Sequence, residues 1–429
     1  MLPISSSQSV GCRPIGIGST IKGCIKMVET FCVPFTSEKG DIKSLKKITI
    51  LSSDDPRVKR GLQVVAHTHA KSLRKRGFDA VIYCPGEKYE AYVLEGVPVY
   101  TFAYRQGSYA AINFITMMYN CWRGWKMHFG KQEPDILHGH DDMTYYFLSR
   151  YLSKKVKKIY TVHDPLVYHH RMLGRLPRGG SLKEKMMTHI ENTVYARSEK
   201  IHCISEYTRV RITDYEALAA KIRIVPDWID TDRFVLPGDR ALVRAKFALD
   251  TDDFVIYTLR GLQARMGLGN LIQAFALLQN RIPRAKLIIG GKGPLRNELE
   301  QMATELGLVN SVTFLGYVLD EEVVGRYQAA DVVIMPSLDG EGFGLPVIES
   351  MACGTPVLAT PVCALPEVLR GKPERLFVGI RPEDIAAGIE AYHRQWQAGG
   401  IDACAERNYV LEHYSEQDIL TLILDDYGV

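Results

Sequence analysis

Short apolar runs that end in a polar turn and hand over to a helical stretch recur along almost the whole of this 429-residue chain. KKITILSS (46–53) is followed by GLQVVAHTHAKSLRKRG (61–77), which keeps helical spacing and stops at Gly77, a residue suited to the position just past a helix. DAVIYCP (79–85), DILHGHDD (135–142), KKIYTVHD (157–164) and KIHCIS (200–205) repeat the run-then-turn pattern. It restarts after IRIVPDWIDTDRF (222–234) with DFVIYTLRG (253–261), the helical LGNLIQAFALLQNR (268–281) and AKLIIGGKGP (285–294). SVTFLG (311–316), DVVIMPS (331–337), TPVLAT (355–360) and ERLFV (374–378) predict further strands. Strands alternating with helices pair in parallel, because the crossover must return to the same end of the sheet. The expectation is an α/β chain of two doubly wound units, 46–222 and 223–408, joined near 222–240. YVLEHYSEQDILTLILDDYG (409–428) predicts one or two closing helices, and the Ser-, Gly- and Pro-rich residues 1–45 a flexible extension.

At 46% hydrophobic and 24% charged, the composition is that of a globular chain long enough for two cores. No apolar run approaches the ~20 residues that cross a bilayer. AAINFITMMYN (110–120) is short and flanked by Arg and Lys, and the start lacks the pattern of a secretory signal. Nine cysteines without a C-x-x-C pair fit reduced thiols and a cytoplasmic setting. Charge is unevenly shared: residues 46–220 hold 28 Lys and Arg against 17 Asp and Glu, residues 221–429 hold 20 against 29. Either the basic half meets something anionic or its surface is simply solvated. No G-x-x-x-x-G-K-[ST] occurs, which argues against an ATPase, and the basic residues lack the interleaved aromatics of a single-strand nucleic-acid binder.

In open parallel sheets ligands sit beyond the carboxyl ends of the strands, so the turns that follow strands carry the interest. After DVVIMPS comes SLDGEGFG and then LPVIESMACG, a helix with Pro346 in its first turn and Gly354 at its end. The glycines bring free backbone N–H groups of Gly342, Phe343, Gly344 and Leu345 close to a ligand at a helix N-terminus, a site for a diphosphate. Glu349, in the first turn, is placed to accept two hydrogen bonds from a vicinal diol such as a ribose. Glu341, before the glycines, is placed to reach a second hydroxylated group. Two carboxylates about an anion site describe a nucleotide-sugar.

With this E-x7-E segment the chain resembles the GT-B fold, retaining glycosyltransferases of the "glycosyl transferases group 1", family 4 type, from about residue 46 to the end. IGGKGPL (289–295), SEYTR (205–209), VPDWIDTDRF (225–234) and TVHDP (161–165) support the likeness. The resemblance implies two Rossmann-like domains facing a central cleft, the first binding the acceptor and the second the nucleotide-sugar, with the helix of 409–429 crossing back to the first. It implies that Glu341 contacts the donor sugar, Gly342, Phe343 and Gly344 the sugar and diphosphate, and Glu349 the ribose. It places Gly316 and Tyr317 at the base, His163 beside the transferring sugar, and Gly61 near the diphosphate, where relatives commonly have two glycines and this chain has Arg60-Gly61. Relatives carry a basic pair in segments like G-R-L-x-x-x-K-G. Here LRGLQARMG (259–267) has Gly261 at the first basic position and keeps Arg260 and Arg265.

The expected activity is therefore transfer of a sugar from a UDP- or GDP-sugar to a hydroxyl of a glycan or lipid-linked glycan, with anomeric configuration kept, no metal and no cofactor. A free sugar or sugar phosphate as acceptor, or a weakly active nucleotide-sugar-binding subunit, are the alternatives. His138 and His140, with Asp141 and Asp142, read as a strand-end turn and not a metal site, since no third ligand follows at metal-site spacing. His67 and His69, two apart on a helix, face different sides and read as non-ligands. The basic loop from His169 to Lys185 either guides an anionic acceptor, the reading slightly favoured, or is simply solvated. KKVKK (154–158) reads as a solvated helix end that leaves contact with an anionic membrane open, at its inner face. No nucleic-acid partner is expected.

Overall fold

The computed structural model describes residues 45–429 other than 59–60, 105–109, 177–179 and 213–214. The expected N-terminal extension, Leu45 apart, lies outside the described residues, as does Arg60. The first domain is a sheet of eight strands: β1 (Lys47–Leu51), β2 (Asp79–Gly86), β3 (Glu90–Leu94), β4 (Val97–Ala103), β5 (Ile136–Gly139), β6 (Lys157–Val162), β7 (Lys200–Cys203) and β8 (Ile222–Ile224). They run in the order β3-β4-β2-β1-β5-β6-β7-β8, all pairings parallel except β3 with β4. Helices such as Gly61–Lys75 and Leu182–Arg197 form the crossovers.

The β3–β4 hairpin has no counterpart among the predicted strands. β3 alternates between exposed and half-buried residues, so it never forms an apolar run. Its turn is set by Glu95 and Gly96, both at positive φ (46° and 81°), the combination a two-residue hairpin loop requires. At the other edge, β8 pairs with β7, which carries the first sheet two residues past position 222.

The second sheet holds β9 (Phe254–Leu259), β10 (Ala285–Gly290), β11 (Val312–Gly316), β12 (Val332–Met335) and β13 (Val357–Ala359), ordered β11-β10-β9-β12-β13 and wholly parallel. ERLFV, read as a strand, is not one. Pro373–Arg375 makes a 3-10 turn, and only Leu376 bridges to Ala359. The helix Leu268–Leu278 buries Leu268, Leu271, Ile272, Phe275 and Leu278 against this sheet, the spacing of one helical face.

The two last helices straddle the domains. Ala403–His413 packs on the second, where Tyr409 donates to the Val368 carbonyl (2.8 Å) and Arg375 pairs with buried Glu406 (2.6 Å). Glu416–Tyr427 returns to the first and buries Ile419, Leu420 and Ile423, roughly 1.5–3 kcal/mol each. Its exposed ion pair of Asp425 with Arg223 (3.1 Å) adds register more than energy, and Asp426 accepts a buried hydrogen bond from His202 (3.0 Å), whose imidazole burial keeps below its ordinary range.

Asp331 ties the middle of the second sheet together. Fully buried at the start of β12, it accepts from the Val255 amide of β9 (2.7 Å) and from Trp396 Nε1 (2.8 Å), and pairs with Arg240 and Arg244. Leaving two guanidinium groups without this partner is the costly kind of change. Asp331→Ala should lower the unfolding free energy by about 3–5 kcal/mol, read as a shift of the guanidinium chloride midpoint at unchanged slope; a loss within error would show that the pair adds nothing.

Candidate active site

Because every strand of the second sheet is parallel, its carboxyl ends form one crest, and the predicted site residues stand along it in strand order. Gly316 and Tyr317 follow β11, Gly290 to Lys292 follow β10, Arg260 follows β9, and Ser337 to Leu345 follow β12. The turns interlock. Arg260 N donates to the Gly290 carbonyl (2.9 Å), Leu262 N to that of Lys292 (3.0 Å) and Gly291 N to that of Gly316 (2.6 Å). Gly291 has φ +126°, and a Cβ there would lie 1.8 Å from the Arg260 carbonyl oxygen, so only glycine allows the crossing. Tyr317 is half exposed, with Lys292 Nζ 5.3 Å from its ring centroid.

The loop after β12 is held from behind. Thr360 Oγ1 donates to the Ser337 carbonyl (2.6 Å), and Leu338 N to that of Arg265 (2.8 Å). Gly344, at φ +102°, turns the chain into the helix Leu345–Ala352. No acceptor among the described residues takes the N–H groups of Gly342, Phe343, Gly344 and Leu345, the usual state of a helix N-terminus open to a ligand. Phe343 itself is buried and meets Tyr414 edge-on, 5.5 Å between centroids, so its contribution to a ligand is through its backbone.

The two glutamates have different partners. Glu349 is half-buried and accepts from Tyr327 (2.7 Å); burial, opposed by that bond, raises its carboxyl above the ordinary range. It borders a hollow shared with Gln63, Val64 and His67 of the helix Gly61–Lys75 and with Arg233. Gly61 opens that helix, and nothing lies within 4 Å of the Cβ it lacks. Glu341 does not line the hollow; it is ion-paired with Arg260, whose side chain is 3% exposed. Arg260 also contacts the sulfurs of Met266 (2.9 Å) and Met335 (2.8 Å), so its fork is occupied. Arg265 donates through Nη1 to the Gly340 carbonyl (2.6 Å), and its buried Nε has no partner. Of the two arginines, Arg265 holds the spare donor capacity.

Opposite stands the crest of the first sheet. His163 follows β6, and burial lowers its imidazole to about 4. The lobes touch here: a Cβ on Gly342 would lie 2.6 Å from the His163 carbonyl oxygen. Ser205 Oγ, after β7, donates to the Gly342 carbonyl (2.6 Å). Glu367 accepts from the amides of Glu206 (2.8 Å) and Tyr207 (3.3 Å), and Asp339 from the hydroxyls of Tyr168 (3.2 Å) and Tyr207 (3.3 Å). Ser205, Glu367 and Asp339 escaped sequence reading. Only the S-x-x-T capping pattern of SEYT hints at the first, since capping carboxylates on another domain leave no local signal.

Two readings of the basic and histidine-rich segments change. In KKVKK, Lys158 is buried in β6 and donates to the carbonyls of Ser153 (2.7 Å) and Val156 (2.8 Å), so the segment is not a solvated helix end. His69 does join His138 and His140: one ring nitrogen of each lies within 4.8 Å of the others. The helix Gly61–Lys75 packs over the end of β5, a contact between residues about 70 apart that spacing along the chain cannot show.

With this geometry in place, two family models match the chain: Glycosyltransferase Family 4 over residues 59–233 and Glycosyl transferases group 1 over residues 239–398. The D-inositol 3-phosphate glycosyltransferase of Corynebacterium jeikeium is 40% identical over 188 residues, 42% of this chain and 45% of that one. A GDP-mannose-dependent alpha-(1-6)-phosphatidylinositol monomannoside mannosyltransferase of Mycolicibacterium smegmatis is 32% identical over 219 residues, 49% of this chain and 57% of that one. The chain spans about half the length of the curated relatives it matches. Among solved structures, sucrose-phosphate synthase from Thermosynechococcus elongatus superposes with a TM-score of 0.73 at 18% identity, covering 89% of this chain and 98% of that one. HepE of Anabaena, in complex with UDP and glucose, gives 0.69 at 19%, covering 89% and 99%. At such identities the likeness is one of fold, two parallel-sheet α/β domains of the GT-B type. Matched by one model in each domain, the chain belongs to the group 1, family 4 glycosyltransferases.

Proposed function

We propose that the protein is a retaining, metal-independent glycosyltransferase that moves a hexose from a UDP- or GDP-sugar to a hydroxyl of a glycan or lipid-linked glycan. The observation that carries this is the meeting of the Glu341–Leu345 loop with the His163 turn, one crest against the other. The free amides of Gly342 to Leu345 and the guanidinium of Arg265 bind the diphosphate, with Gly61 opposite. Glu349 exchanges its Tyr327 bond for the ribose diol, and the base lies at Gly316 and Tyr317. The sugar sits between Glu341, oriented by Arg260, and His163. The acceptor oxygen bonds to the anomeric carbon on the face the diphosphate leaves, and the departing phosphate oxygen takes the acceptor's proton. Charge develops on that phosphate, so fixed cations lower the barrier. Donor entry requires the lobes to part at the Asp339 and Glu367 bonds, and their reclosure excludes water.

Two observations favour variants of this reading. The 40%-identical relative is named for a sugar-alcohol phosphate, which supports a phosphorylated small acceptor. The engagement of Arg260 by Glu341, with Gly261 beside it, supports a subunit that binds donor and turns over slowly. A membrane-borne acceptor is supported by the helix Ala110–Phe129, which exposes Ile115, Tyr119, Trp122 and Met127 next to exposed Arg123 and Lys126. Aromatic and basic side chains on one exposed face suit an anionic bilayer surface.

Glu349→Ala should weaken UDP-glucose or GDP-mannose binding at least about tenfold by titration calorimetry, since hydrogen bonds to a carboxylate are worth about 1.5–3 kcal/mol; unchanged affinity would remove the ribose role. The Cβ of a residue at 261 would meet only Lys292 O at 3.9 Å and Gln263 Nε2 at 4.0 Å, both ordinary contacts, so the backbone accepts a side chain there. Gly261→Arg should raise nucleotide release roughly ten- to a hundredfold, and no gain would favour the subunit. Vesicles of one-third phosphatidylglycerol should sediment the protein, and Trp122→Ser with Tyr119→Ser should abolish this; equal binding to neutral vesicles, or by the double variant, would rule the helix out.

A further inference from the structure

The transfer reading uses one histidine, and more imidazoles are buried behind it in series. His163 Nε2 lies 2.8 Å from His140 Nδ1, and His140 Nε2 lies 3.1 Å from His69 Nδ1. His69 Nε2 is 3.3 Å from the Tyr427 hydroxyl, that hydroxyl 2.7 Å from His138 Nδ1, and His138 Nε2 2.7 Å from Thr161 Oγ1. Burial holds His69 at about 3, His163 at about 4, and His138 and His140 well below their ordinary range. The rings are therefore neutral near pH 7.

A neutral imidazole carries one proton, so it donates through one nitrogen and accepts through the other. The Tyr427 hydroxyl also has a single proton to give. Among the imidazoles the direction of any one link consequently sets the direction of the next, and the phenol can donate to only one of His69 and His138. Bond lengths choose it. A hydroxyl donor makes the shorter bond, which fits the 2.7 Å from Tyr427 to His138. The 3.3 Å link fits an N–H of His69 donating to the phenol oxygen. His69 then accepts at Nδ1 from His140 Nε2–H, and His140 accepts at Nδ1 from His163 Nε2–H. His163 is left with its proton on Nε2 and a bare Nδ1, which has no partner among the described residues. Tyr427 is held in place by its neighbour Asp426. Although burial opposes ionisation there, the bond to His202 and the charge of Arg223 keep that carboxyl at about 2.

We propose that His140, His69 and Tyr427 are positioning residues that fix His163 as its Nε2–H tautomer, so that Nδ1 accepts a hydrogen bond from a hydroxyl of the donor sugar only while the last helix is docked. This rests on the reading that places His163 beside that sugar. The same rings as a metal site would need nitrogens that are already spent on one another and on Tyr427.

The test uses the full chain labelled with ¹⁵N-histidine. Long-range ¹H–¹⁵N spectra should show His163, His140 and His69 as single neutral Nε2–H tautomers. In Tyr427→Phe, which keeps the ring, the His163 shifts should move toward values averaged between tautomers. The kcat for nucleotide release from UDP-glucose or GDP-mannose should fall about tenfold with donor KM within about twofold, as for a misoriented catalytic group. His69→Phe should act alike, and His69→Asn, whose amide oxygen takes the place of Nδ1, should restore most of the rate; this pair carries the test should Tyr427→Phe not fold. Unchanged His163 shifts in Tyr427→Phe, or one equivalent of bound metal by elemental analysis of the purified protein, would overturn this inference alone. His163→Ala with full nucleotide release would overturn the site reading and this inference together.

Discussion

One backbone contact sets the geometry on which the rest depends: the Gly342 Cα faces the His163 carbonyl so closely that a Cβ would stand 2.6 Å from the oxygen. Hard-sphere repulsion forbids any other residue there without moving one lobe. The contact falls where the crests of two parallel sheets meet. Parallel pairing puts all carboxyl ends of a sheet at one edge, and opposing two such edges brings the turns after β6 and β7 against the loop after β12. No single loop makes the site, and a deletion in any crossover would misplace one wall of it.

The joints around this contact differ in kind, and that decides what can move. Across the mouth the lobes are joined by polar bonds: Ser205 to Gly342, Glu367 to two amides, Asp339 to two tyrosine hydroxyls. Such bonds net about 0.5–1.5 kcal/mol each, because water replaces them on opening. Behind the site the chain is joined by apolar burial, with Ile419, Leu420, Ile423, Trp228 and Phe234 in one continuous core. Water offers no substitute for that packing. The polar mouth is therefore the easier joint to part and the packed side the harder one, and the mouth is made by residues that sequence patterns pass over.

What spacing along the chain shows well is what one element settles by itself. Strand-turn-helix order announces both sheets, and E-G-F-G-L-P-x-x-E announces a helix N-terminus, because both follow from local geometry; Glu349, expected in the first turn, stands in the second, since the helix begins at Leu345. The β3–β4 hairpin was hidden because its edge strand alternates in place of forming an apolar run, and ERLFV misled because an apolar run need not find a partner strand. Contacts between elements are beyond such reading. His67 and His69 do differ in surroundings, as helical spacing predicts, yet His69 meets His138 and His140 through the packing of its helix on β5. Lys158 shows the same limit: a charge in a basic run is buried because two carbonyls receive it.

The pairing of Arg260 with Glu341 brings these strands together. A guanidinium buried at the end of β9 cannot stay uncompensated, since desolvating a charge costs several kcal/mol unless a partner and hydrogen bonds offset it. With Gly261 at the next position, Glu341 is the acid that partners it, and two methionine sulfurs complete the shell. The acid is thereby oriented, but the cation is spent on the acid and not on a ligand. The donor capacity left between β9 and β12 is then that of Arg265 and the open amides of the following helix. On the proposed transfer reading, affinity rests on the helix N-terminus and Glu349, and turnover on how much positive charge remains unclaimed between β9 and β12.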